Sequence, residues 1–237
     1  MLAKTRAIVL RNTNYSESSV ISKMYTREFG MRTYLLQGIK KGKSAIRPSM
    51  IQPLSVLQMD VYEKASSNLN RVKELKSSPA LINIQDDILK KSVAMFMLEI
   101  INQCIIEEQC EAELYDFLEA QILRLEKEET LAWFPIQFLL SLTPYLGVEP
   151  QGEFSKYTPY FSLNEGIFVQ QYGINVTNEA IAEKLSLLLH PSLENQEIKI
   201  NSKERKDILQ ALVQYFQIHI TKNKQIKSID ILAELLN

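Results

Sequence analysis

Two cysteines, two histidines and seven glycines in 237 residues remove several chemistries at once. Cys104 and Cys110 form no CxxC pair, so neither a disulfide framework nor a four-cysteine zinc site can be assembled from them. A reduced, cytoplasmic setting follows as the expectation. With so few histidines, nucleophile-base catalysis has almost no candidates: His190 precedes Pro191 at an expected helix end, and His219 shares a helix with Tyr215 and Phe216, both positions for capping or packing. Neither GxxxxGK nor GxGxxG occurs, which removes the two common phosphate cradles. Long hydrophobic runs are missing too. Val93 to Ile106 holds 11 apolar residues in 14 but is interrupted by Glu99, Asn102 and Gln103, which suits a buried helix and falls short of a membrane span. Ala7 to Leu10 is too short for a signal-peptide core, so no secretion and no membrane contact are expected.

What is present is an uneven distribution of charge. The net charge of −1 conceals 14 Lys/Arg against 5 Asp/Glu within residues 1–76, a local +9, which leaves −10 for the remainder. A basic half beside an acidic one points to a polyanionic partner, because each phosphate neutralised releases a condensed counterion. Solvated charge clustered without purpose is the plain alternative.

Residues 4–76 alternate with strand period. Arg6 to Leu10, Val20 to Thr26, Arg32 to Gln37, Leu57 to Val61 and Arg71 to Leu75 read as five short strands, with Gly30 and the Gly38 to Ser44 stretch as turns. No helix there is long enough to cover a sheet face, so closure into a small barrel of the OB type is favoured, with an SH3-like barrel open on pattern alone. Beyond Ser78-Pro79 the period becomes helical. The fold class expected is α+β: an OB barrel over 1–77 and a mostly helical domain over 78–237. Leu114, Phe117, Leu118, Ile122 and Leu125 form one apolar stripe. A helix from Leu131 to Leu146 should stop at Gly147, with Pro144 tightening its last turn. Residues 148–176, rich in Pro and Gly, should hold a hairpin of Tyr160 to Leu163 and Ile167 to Val169. Thr177, Ser202 and Ser228 are expected to cap the remaining helices.

Lys40, Lys41, Lys43 and Arg47 crowd one connection, and Arg6, Arg11, Arg32 and Arg71 lie on or near strands; together they are the candidate DNA-binding set. OB barrels hold single strands with a basic groove and aromatic platforms, for which Tyr15, Tyr34 and Tyr62 are available. Asp60 with Glu74-Leu75-Lys76 matches the loose spacing of metal-dependent nucleases, but a small barrel is the wrong scaffold for that chemistry. A scaffold whose basic barrel takes an acidic peptide is the competing class.

The strings Ala7-Ile8-Val9-Leu10-Arg11, Tyr15-Ser16-Glu17-Ser18, Tyr25 to Gly30 and Gln37 to Ser44 resemble, in order and spacing, the opening of the RecO family, bacterial recombination mediators; Lys91 to Glu126 and the stretch Tyr215 to Leu232 agree with it. The resemblance implies an OB domain followed by a helical domain and no bond-breaking activity. It implies binding of single- and double-stranded DNA, annealing of complementary strands, action with RecR, recognition of the C-terminal tail of single-strand-binding protein and, indirectly, loading of RecA, all in the bacterial cytoplasm at the nucleoid. The matched positions carrying DNA are Arg11, Lys40, Lys41 and Lys43. Many members of that family carry a four-cysteine zinc module where Gly147 to Tyr172 lies here. This segment has no cysteine. No metal or other cofactor is therefore expected, apolar packing of Phe161, Ile167 and Phe168 should hold the hairpin, and near-stoichiometric zinc by elemental analysis would overturn that.

Overall fold

The computed structural model describes residues 1–39, 46–64, 67–105, 110–190, 200–221 and 224–235. These form two compact units, Met1–Glu128 and Glu129–Asn237.

The first unit is built on five strands, β1 (Leu2–Ser16), β2 (Ser19–Thr26), β3 (Gly30–Gln37), β4 (Val56–Tyr62) and β5 (Asn70–Ser77), closed in the order β1-β2-β3-β5-β4. All pairings are antiparallel except β3 with β5. This is the OB arrangement expected from the strand pattern, and closure removes the free edges that so short a sheet would expose. Ala7, Val9, Val20, Met24, Leu36 and Met59 are among the inward side chains that fill the barrel. β1 starts earlier and ends later than its apolar run suggested, because Lys4 and Thr5 pair with β4 while Asn12 to Ser16 pair with β2. That double use is how one strand closes a barrel.

A bulge breaks the β1 register between Val9 and Arg11: Val9 pairs with Met24, whereas Arg11 pairs with Lys23. Strict alternation would send Arg11 inward after Ala7 and Val9. The extra residue at Leu10 reverses the phase, so Arg11 is exposed and Asn12 faces Ser22 instead.

Three helices complete this unit: α1 (Asn83–Asp86), α2 (Ile88–Cys104) and α3 (Ala112–Lys127). The Asp87 side chain accepts from the Leu89 and Lys90 amides and so caps α2. At the far end of α3 the Glu126 carboxylate accepts from the Ile82, Asn83 and Ile84 amides, at 2.9, 2.7 and 2.9 Å. The expected stripe on α3 is present in Leu114, Leu118, Ile122 and Leu125, but Tyr115 and Glu119 are buried as well. Tyr115 meets Tyr25 of β2 with ring centroids 6.0 Å apart. The helix therefore covers an outer face of the barrel.

In the second unit the expected helix from Leu131 is divided. A 3₁₀ turn, Leu131–Trp133, leads into α4 (Phe134–Leu142), and a second 3₁₀ turn, Pro144–Leu146, ends at Gly147 in the left-handed conformation. Pro144 lacks the amide that would continue the ladder, which tightens the turn. β6 (Tyr160–Ser162) and β7 (Ile167–Val169) form the expected hairpin. Phe161 and Phe168 hold it, with centroids 5.0 Å apart. Ile167, expected to join them, is 40% exposed, since alternation along β7 turns it away from Phe168. Gly166 is required here: at φ +71° an added Cβ would lie 2.6 Å from the Tyr215 hydroxyl, which donates to the Val148 carbonyl.

The remaining helices are α5 (Glu179–Leu189), α6 (Ser202–His219) and α7 (Ser228–Leu235). Two caps fall one residue from expectation. Asn178, not Thr177, accepts from the Ile181 amide, because the Thr177 hydroxyl accepts from Phe161 in the hairpin. Asn201, not Ser202, caps α6, in a reciprocal box with Glu204.

Candidate nucleic-acid interface

The barrel's cations fall into two groups, separated by whether a carboxylate reaches them. Arg6 on β1 contacts Asp116 at 2.5 Å and Glu119 at 2.6 Å, both on α3. Arg27 grips the same Asp116 with two bonds of 2.8 Å, from Nε to Oδ1 and from Nη2 to Oδ2. That bidentate grip is the strong geometry for an arginine and a carboxylate. Arg27 holds the Asp116 carboxyl below the usual carboxylate range, with Arg6 adding to the effect against desolvation. Glu119 moves the other way: burial raises it and outweighs the pull of Arg6. The two carboxylates share one arginine, and their different exposure decides the sign.

Arg32 and Tyr34 are committed at the barrel mouth. Glu63, just past β4, accepts from Arg32 Nε at 3.0 Å, from the Tyr34 hydroxyl at 3.2 Å and from Asn70 Nδ2 at 3.1 Å. Tyr34 is wholly buried, and burial, then the Glu63 charge, raises its phenol well above its ordinary value. The structure thus places Tyr34 away from its expected role, because an inward ring on β3 offers no face for stacking. Arg6 and Arg32 likewise stand within internal ion pairs.

Arg11, Arg47 and Arg71 are exposed and have no ion-pair partner among the described residues. Lys40, Lys41 and Lys43 lie outside the described residues. Lys23, which the reading of the sequence passed over, stands directly across from Arg11 and is equally exposed and unpaired among the described residues. Its signal was legible: Ile21 and Lys23 alternate with Val20, Ser22 and Met24. Two like charges directly opposite in a sheet destabilise it. Tyr62, 49% exposed, is the direct partner of Arg71, and Tyr15 near the end of β1 is 63% exposed.

The other candidate chemistries find weaker support. Asp60 and Glu74 do face each other across β4 and β5, and Lys76 Nζ lies 3.5 Å from Glu74, in a cleft of about 400 Å³ that also holds Lys4 and Arg6. Three carboxylates, Glu28 being the third, are matched there by three cations and make no metal cage, and no group of three or more His, Cys, Asp or Glu is placed to hold a metal among the described residues. Burial pushes the Cys104 thiol up to about 12, far from a reactive thiolate. His190 and His219 each donate through Nε2 to a carbonyl, of Gly152 at 3.0 Å and of Leu163 at 2.8 Å, so both serve the fold. Among the described residues no helix is long and apolar enough to cross a membrane.

Fold and charge define a class: an OB-barrel protein with a helical C-terminal part, whose barrel keeps a set of exposed cations without counter-ions among the described residues. Comparison with known proteins narrows it. Residues 1–79 match the model described as recombination protein O N terminal, and residues 85–228 the model described as recombination protein O C terminal. The chain is 30% identical over 239 residues to "DNA repair protein RecO" of Flavobacterium johnsoniae, covering all of both chains. It is 32% identical over 241 residues to the protein of that name from Christiangramia forsetii, covering 99% of each, and 31% over 242 residues to that of Phocaeicola vulgatus, covering all of each. The chain belongs to the RecO family.

Proposed function

We propose that this protein is a non-catalytic mediator of DNA repair and recombination whose barrel grips the phosphate backbone. The observation that carries the reading is the exposed Arg11–Lys23 pair, a like-charge contact that costs the sheet stability and becomes favourable once an anion lies across it. Arg71 lies on the same outer side through Leu35 and Ile21, Arg47 is exposed, and Lys40, Lys41 and Lys43 are assigned to DNA on the family resemblance alone. Annealing asks for no covalent chemistry: a basic surface lowers the repulsion between two strands while leaving their base edges free to pair. Family membership supports the finer roles, which are binding of single- and double-stranded DNA, strand annealing, and action with RecR to help load RecA onto DNA coated by single-strand-binding protein, through that protein's C-terminal tail. It also supports a cytoplasmic, nucleoid-associated protein.

The test is a salt titration of single-stranded DNA binding together with a strand-annealing assay. With about six phosphates neutralised, log affinity should fall against log salt with a slope near about −4. Annealing of strands coated with single-strand-binding protein should depend on that protein's acidic tail. A flat salt response, with tight binding of an acidic peptide, would instead favour the scaffold reading.

A further inference from the structure

The outer surface of the barrel beyond Tyr25, where the cover of α3 lies, carries more than charge. Following the strand pairings outward-side residue by residue, Tyr62 on β4 stands across from Arg71 on β5, Arg71 beside Leu35 on β3, Leu35 across from Ile21 on β2, and Ile21 across from Thr13 on β1. The neighbouring row runs Thr33, Lys23, Arg11. Neither row contains a carboxylate. Ile21 and Leu35 are partly exposed apolar side chains on the solvent face of a barrel whose core is on the other side. They lie between the Arg11–Lys23 pair and the Tyr62–Arg71 pair, about two strand spacings or roughly 10 Å apart across the sheet.

We propose that this belt is a seat for an unpaired strand, with Arg11, Lys23 and Arg71 holding phosphates while bases lie against Tyr62 and the Ile21–Leu35 strip. The proposal rests on the reading that the barrel binds DNA, and specifies which form of DNA uses which residues. Every base has an apolar face, so a belt of this kind is indifferent to sequence, and such contacts are available only when the base is out of a duplex. A duplex offers the same cations its backbone and leaves the apolar strip unused. The bulge at Leu10 is what assembles the seat, since without it Arg11 would point into the core.

The full chain is titrated with an oligo-dT strand and with a hairpin duplex of matched charge. Tyr62→Ala removes a half-exposed ring at little risk to folding, and Ile21→Ser is checked by thermal melting. Each should weaken oligo-dT binding, Tyr62→Ala by about tenfold, leave duplex binding within about twofold, and keep the salt slope. Arg11→Ala with Lys23→Ala should weaken both and reduce the single-strand slope by about 1.4. Independently of any variant, oligonucleotides carrying a halogenated uracil should photo-crosslink to Tyr62 in the unaltered protein. If the cation variants weaken binding while Tyr62→Ala acts alike on strand and duplex, or on neither, and the crosslink is absent, the seat is wrong and the backbone grip survives. If the cation variants change neither affinity nor slope, the grip itself is wrong.

Discussion

Two regions of one barrel carry arginines, and they differ in what lies opposite them. Under α3, Arg6 and Arg27 converge on Asp116 and Glu119, and at the mouth Arg32 meets Glu63. On the same outer side of β2, two residues from the Tyr25 that packs against α3, Arg11 and Lys23 meet each other. The first group is part of how the unit holds together, whereas the second is a standing cost to it. A count of basic residues cannot tell them apart, but the location of their counter-charges does.

The strongest challenge to that division is removal of Glu63. Its carboxylate is nearly sealed and accepts from three side chains, so Glu63→Ala should destabilise the first unit by about 3–5 kcal/mol by leaving Arg32, Tyr34 and Asn70 without their acceptor. Denaturant unfolding measures this. DNA affinity of the fraction still folded should not fall, and a loss there would move Arg32 to the binding group.

A smaller effect is expected from pH. Asp116 titrates lower in the folded protein than in the unfolded chain, where about 3.9 is usual. Its ionised form therefore contributes stability above that value, and the contribution disappears as pH falls through the folded value. Glu119, raised by burial, works in the opposite sense: its proton is held more tightly when folded, so its share declines as pH rises past the usual 4.3 or so. Thermal melting of the parent between about pH 5 and 2 should lose more stability than Asp116→Asn does over the same range. Equal losses would mean that the clamp does not bind Asp116 in solution.

Smallest, and opposite in sign, is the effect of Arg11→Ala on stability. Deleting one of two facing like charges should leave the melting temperature unchanged or raise it slightly, by an amount that salt screens away. A clear fall would place Arg11 with the structural arginines.

Much of the architecture was legible because strands and helices differ in period. Residues 4–76 alternate, and the change near Pro79 is real, although α1 to α3 then fold back into the same compact unit as the barrel. That return was invisible locally, since Arg6 and Asp116 are 110 residues apart in the chain. The fate of Tyr34 was decided by parity along β3 together with a carboxylate 29 residues on, just past β4, and no single window contains both. Ile167 failed for a simpler reason, because two adjacent strand residues cannot face the same way. Lys23 was readable from alternation but looked unremarkable until its partner was known.

The bulge at Leu10 makes this surface sensitive to length in a way that it is not sensitive to identity. Most substitutions at that position leave the phase of β1 intact. Gain of a single codon there would not remove one charge from the protein, yet with the bulge otherwise kept it would turn Arg11 toward the barrel interior and Asn12 toward solvent, exchanging the wet and dry sides of the strand's second half. Among relatives, the face should therefore tolerate drift in sequence between Val9 and Arg11; a homologue one residue shorter at that point would present the same face from a regular strand, whereas one a residue longer would have to hold its strands by other means.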